Sequence, residues 1–96
     1  LTAFGGMIET GDETFLSLSP ELFFSIDGGA LTCRPMKGTA KRGVTASKDQ
    51  AIKNWLKTDQ KSQAENLMIV DLMRNDMSRI SEHGSVEVTE LYYIET

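Results

Sequence analysis

The sequence has one cysteine, Cys33, so no disulfide can close within the chain, and a reducing compartment suits it. No apolar run approaches the ~20 residues that a membrane-spanning helix needs. No stretch reads as a signal peptide. An excess of positive charge is also missing. Ten Lys and Arg face 14 Asp and Glu, so the net charge of −4 gives no electrostatic case for nucleic acid. Repeats, low-complexity tracts and linkers are absent, and 96 residues suffice for one small domain. These absences lead us to expect a cytoplasmic globular protein with neither a nucleic-acid nor a membrane partner.

What is present is ordered along the chain. Residues 2–9 are weakly strand-like, and Glu13 to Ser19 reads as a second strand ended by Ser19-Pro20. The apolar runs Leu22 to Asp27 and Ala30 to Arg34 flank Asp27-Gly28-Gly29, a strong hairpin signal. Residues 35–46 read as loop. Ser47 and Gln50 have capping-box spacing, and Ile52, Trp55 and Leu56 follow at the intervals of a short amphipathic helix. Asp59 is placed to cap a second helix over about 60 to 81. Ser85 to Val88 and Glu90 to Ile94 read as strands. Strands, two helices and strands again predict an α+β fold. Both ends look cut. The chain enters an apolar stretch at Leu1 and stops in the strand-like run Leu91 to Thr96. A central piece of a larger protein is expected, the alternative being a small domain trimmed at its ends.

The second helix places Glu65, Met68, Ile69, Leu72, Met73, Asp76 and Ile80 on one face. Leu67, Val70 and Met77 lie outside that stripe, so the middle of the helix is expected to be packed on several sides. A carboxylate in such a stripe is costly unless it is paired, hydrogen-bonded or bound to a cation. For Asp76 the ordinary reading is a bond to a loop amide. For Glu65, read as a first-turn residue, it is an acid favoured by the helix dipole. The loop RPMKGTAKRG, residues 34–43, gathers Arg34, Lys37, Lys41 and Arg42 in an otherwise acidic chain. Taken alone, these are four solvated charges. Cys33, Trp55 and His83 read as strand, core and loop residues.

Three segments, SPELFF (19–24), RPMKGTAKRG (34–43) and AENLMIVDLMRNDMSRI (64–80), together resemble the chorismate-utilising enzymes. That family includes anthranilate synthase component I, aminodeoxychorismate synthase component I, and the isochorismate and salicylate synthases. The resemblance runs through essentially the whole chain and implies that residues 1–96 are the central part of a single chorismate-binding domain, truncated at both ends. Antiparallel strands would then surround two central helices. The lysine of PMKGT points within the family to the aminodeoxychorismate synthase branch, since its relatives usually carry Ala there.

The resemblance implies roles for particular residues. Glu21 would be the acid that protonates the departing 4-hydroxyl of chorismate, with Leu22, Phe23 and Phe24 as apolar surroundings that keep it protonated. Otherwise it is an exposed glutamate after a proline. Lys37 would be a nucleophile, made neutral by desolvation and by Arg34, Lys41 and Arg42. Gly38 and Thr39 would contact substrate, the alternative being a plain turn. Glu65 would bind Mg²⁺, which takes oxygen ligands and bridges to substrate oxygens. Ser62 stands where many members place an acid, so no role is carried to it. The implied partners are chorismate and a glutamine amidotransferase subunit that supplies ammonia, and the piece alone is expected to lack turnover. Anthranilate synthase component I is the alternative enzyme. A non-catalytic chorismate-binding or structural module is the alternative of another class.

Overall fold

The computed structural model describes residues 4–96, so the expectation for residues 2 and 3 lies outside it. The chain divides into two units, residues 1–35 and 36–96.

The first unit contains two antiparallel hairpins, each a separate two-stranded sheet. In the first, β1 (Phe4–Glu9) pairs with β2 (Thr14–Ser19), from Phe4 opposite Ser19 to Glu9 opposite Thr14. Its turn closes when the Thr10 amide donates to the Glu13 carbonyl at 2.9 Å. In the second, β3 (Leu22–Asp27) pairs with β4 (Ala30–Arg34). Asp27 lies opposite Ala30, and Gly28 and Gly29 between them have φ of 54° and 83°. That left-handed pair matches the twist of the strands and is open to glycine without strain. Three steps along β3, from Leu22 to Ser25, match two along β4, so β3 carries one extra residue at Phe23–Phe24. The two rings meet edge to face, with centroids 5.5 Å apart.

The second unit is built on two helices, α1 (Ala46–Thr58) and α2 (Gln60–Ser78), joined through one residue, Asp59. Thr45 caps α1, its hydroxyl accepting from the Lys48 amide at 3.3 Å. The expected capping box is therefore not formed. Ser47 already lies inside the helix, and the Gln50 amide donates forward to Asn54 at 3.0 Å instead of reaching back. Asp59 caps α2 as expected, accepting from the Ser62 amide at 2.9 Å and the Ser62 hydroxyl at 2.7 Å. The helix ends at Ser78, short of 81. There the Arg79 amide turns to the i−3 carbonyl of Asp76, and the Ser78 hydroxyl takes the Asn75 carbonyl.

Two expected strands do not form. Residues 85–88 and 90–94 are irregular, and Tyr92 sits at φ 59°, which breaks an extended run. Neither segment joins a ladder among the described residues.

No apolar side chain is buried among the described residues. Trp55, expected in a core, is 56% exposed, and Met68, expected to be packed within α2, is 68% exposed. Local bonds therefore hold these elements: ladders, turns and caps. No helix among the described residues is long and apolar enough to cross a membrane.

Thr45→Ala is expected to lower stability by about 1 kcal/mol, because the cap bond is lost. Ser47→Ala should stay within about 0.5 kcal/mol, as for an exposed helical position. Thermal or denaturant melts of the two variants check this, and the reverse order would restore the capping box.

Candidate functional site

Asp49, in the first turn of α1, is the only buried residue among those described. A carboxylate is favoured near a helix N-terminus, but burial makes it costly unless it is bonded. It is bonded on both oxygens. Arg42 donates from Nε to Oδ1 and from Nη2 to Oδ2, both at 2.8 Å, and the Gly43 amide donates to Oδ1 at 2.9 Å. Lys53 Nζ lies 3.9 Å from Oδ2. These contacts lower the Asp49 carboxyl from its ordinary 3.8 to about 2, first through the Arg42 hydrogen bonds and then through the Gly43 amide.

This clamp closes one end of the cationic loop. Gly43 has to be glycine, because a Cβ there would fall 2.6 Å from the Lys48 carbonyl carbon and 2.7 Å from Asp49 Cα. The other end is seated at Gly38, which has φ 78°. A Cβ at Gly38 would fall 2.8 Å from Ser62 Oγ and 3.3 Å from Leu56 Cδ1. The space that a Gly38 side chain would need is filled by Ser62 and Leu56. Lys37 and Thr39 flank this contact and are exposed. Arg42 is committed to Asp49, so its charge is compensated and adds little to the positive field expected around Lys37.

Ser62 thus bonds the cap carboxylate of Asp59 and fills the space that a Gly38 Cβ would need. The same bonds lower the Asp59 carboxyl, the Ser62 hydroxyl first and its amide second. Glu65 lies three residues beyond Ser62 and so shares its face of α2. The loop bearing Lys37, Gly38 and Thr39 and the carboxylate of Glu65 are thereby brought to one helix face. Glu65 is half-buried and stands in the second turn, because the helix begins at Gln60. The dipole account of this residue, which needs the first turn, fails. Its recorded partner is Lys61, 3.8 Å away at i−4. Asp76, at the far end, is exposed, so it escapes the cost of burial without the expected loop amide.

Glu21 belongs to the first unit, in the turn from β2 to β3. The Ser19 hydroxyl donates to its carbonyl at 2.8 Å and accepts from its amide at 3.2 Å. The residue is half-buried and directly precedes the bulged β3. Phe23 is 72% exposed and Phe24 54%. Asp49 was not among the residues read from sequence as functional. Its available signal was an acid in the first helical turn, seven residues after an arginine.

Known proteins resemble this sequence over most of its length. The family model described as chorismate binding enzyme matches residues 2–96. The chain belongs to that family. Over 81 residues it is 51% identical to the chloroplastic aminodeoxychorismate synthase of Arabidopsis thaliana, covering 83% of this chain and 9% of that protein. Aminodeoxychorismate synthase component 1 of Klebsiella aerogenes is 45% identical over 92 residues, 96% of this chain and 20% of that one. Anthranilate synthase component 1 of Spirochaeta aurantia is 43% identical over 88 residues, 92% of this chain and 18% of that one. The chain thus spans a fifth or less of the length of these relatives. The α+β fold expected from sequence is the one found, as four strands in two hairpins and two helices.

A carboxyl whose pKa is lowered on folding stabilises the fold above its unfolded value of 3.8, and that contribution is lost as the pH falls through about 2. An acid titration followed by carboxyl carbon-13 shifts should put the Asp49 midpoint near 2. The Gly43 amide signal should move in the same range. A midpoint near the ordinary ~3.9 would mean that the clamp is not made.

Proposed function

We propose that this chain is the central part of an aminodeoxychorismate synthase component I. That enzyme converts chorismate and ammonia to 4-amino-4-deoxychorismate, on the way to para-aminobenzoate and folate. The observation that carries the reading is Lys37, exposed beside Gly38 on the α2 face that also bears Glu65. Identity alone does not choose the branch, since 45% to an aminodeoxychorismate synthase and 43% to an anthranilate synthase are close.

In this reading the neutral Lys37 amine adds to C2 of the ring. The ring double bonds shift, and the 4-hydroxyl departs with a proton from Glu21 as water. The Lys37 adduct then gives up a proton to solvent. Ammonia attacks C4, the bonds shift back, and the Lys37 nitrogen takes up a proton as it leaves C2 as the neutral amine, while the new ammonium at C4 loses one and Glu21 regains its own from solvent. Chorismate and ammonia are consumed, and aminodeoxychorismate and water are released. Thr39 would hydrogen-bond substrate oxygens, since its hydroxyl can both donate and accept.

Glu65 is the Mg²⁺ ligand of this proposal. Its half-buried carboxylate offers the oxygen donors that Mg²⁺ prefers, and one protein carboxylate suits an ion that completes its shell with water and substrate. Bound there, the ion would neutralise a substrate carboxylate. No group of three or more His, Cys, Asp or Glu able to hold a metal occurs among the described residues, so Glu65 would contribute one ligand of a larger set. The "component 1" in the names of bacterial relatives supports a partner, proposed here as the glutamine amidotransferase that supplies ammonia. The exposed apolar faces of the hairpins and of α2 would be covered by the rest of the domain. A cytoplasmic setting rests on the lone Cys33, although the Arabidopsis relative is named as chloroplastic. The second reading, anthranilate synthase component I, is favoured only by its similar identity and predicts amination at C2.

In the full-length protein, Lys37→Ala should leave chorismate binding intact and lower C4 amination by about 100-fold or more. Lys37→Arg should not restore it, because guanidinium stays charged. Product analysis by chromatography decides, and C4 amination retained in both variants would reduce Lys37 to a positive charge. Glu65→Gln should raise the Mg²⁺ concentration needed for half-maximal turnover by at least about tenfold, since it removes charge and keeps shape. An unchanged Mg²⁺ titration rejects the ligand role.

A further inference from the structure

The Asp49 carboxylate is fully engaged. Oδ1 accepts from Arg42 Nε and the Gly43 amide, while Oδ2 accepts from Arg42 Nη2 and faces Lys53. Its side chain is 13% exposed, beneath an Arg42 side chain that is 67% exposed. Both oxygens are held by donors of this chain, so its part in any reaction is geometric. We propose that Asp49 is a positioning residue, whose carboxylate clamps Arg42 and Gly43 onto the start of α1 and thereby fixes the loop that presents Lys37 and Thr39.

Two contacts bound this loop. At one end, Gly38 sits too close to Ser62 and Leu56 to carry a Cβ. At the other, Gly43 sits too close to the Lys48–Asp49 backbone to carry one. Thr39 to Arg42 span the gap between the two pins, and Lys37 directly precedes the first. No ladder or helix orders these residues. With the second pin released, the span runs free from Gly38 to the Thr45 cap of α1, and the amine and hydroxyl that flank Gly38 gain freedom. Misplacing a reacting group by about 1 Å can cost about 100-fold in rate. The pairing is directional as well as charged. The fork of Arg42 matches two carboxylate oxygens, which an amide or a lysine cannot reproduce.

The proposal rests on the reading of Lys37 given above, and its test separates the two. In the full-length protein, Asp49→Asn keeps the shape but turns an amide NH₂ towards one of its donors. Arg42→Lys keeps the charge but loses the fork, and Lys53→Ala is a control for the longer 3.9 Å contact. Amide hydrogen exchange at Gly43 is expected to quicken by about tenfold or more in the first two variants and to stay unchanged in the third. Chorismate consumption should fall about 10- to 100-fold in kcat, with KM within about threefold. A merely structural role would lower the melting temperature and leave kcat of the folded protein unchanged. That result overturns the proposal, as does unchanged Gly43 exchange in both variants. Should Asp49→Asn fail to fold, Arg42→Lys decides by the same readouts. Release of a C2-aminated product by the wild-type protein would sink the aminodeoxychorismate reading, while the exchange and kcat arms still decide the clamp.

Discussion

Asp49 carries a charge in the one buried position among the described residues, and much of the second unit follows from satisfying it. A buried carboxylate without partners would be strongly unfavourable. The chain answers with the Arg42 fork and the Gly43 amide, and each has a consequence. Gly43 can have no side chain, since the backbone of α1 fills the space that a Cβ would need. Arg42 loses its free charge. The loop from Lys37 onwards is pinned to the helix into which it leads, so a run that reads as solvated cations has a defined end.

Elsewhere the elements stand on local interactions. Turns, ladders and caps shape the two hairpins and the two helices, and no apolar side chain is buried among the described residues. The groups with chemical potential sit at the junctions: Glu21 in the turn before a bulged strand, Lys37 and Thr39 around the seat of Gly38, and Glu65 one turn beyond Ser62. Bulges re-aim neighbouring side chains and glycine seats permit close backbone approach, so both are expected where geometry matters more than packing.

Signals written in adjacent residues were legible. Asp27-Gly28-Gly29 marked its hairpin because only positive φ closes so short a turn, and Asp59 marked the start of α2 because its carboxylate reaches the Ser62 amide three residues on. Ser19-Pro20 ended β2 as its backbone restriction requires. Less legible was the choice between two nearby caps. Thr45 and Ser47 both carry hydroxyls, and the helix starts from the first. The apparent strands over 85–94 had suitable residues, but β propensity describes a fit to a partner surface, and Tyr92 turns the backbone into the left-handed region instead.

The sequence by itself determined the α+β class, the Asp27-Gly28-Gly29 hairpin, the Asp59 cap of α2, and the three segments that carry the family resemblance. All of these depend on residues a few positions apart, whose bonds form wherever the chain goes. Only the tertiary structure decided what Gly38, Arg42 and Asp49 do. It put Ser62 where a Gly38 side chain would be, 24 residues away in the chain, and closed Arg42 onto Asp49. It also left Met68 and Trp55 exposed where their spacing suggested burial. Burial and ion pairing depend on which surfaces meet, and periodicity along a single helix records which residues share a face but not what covers it.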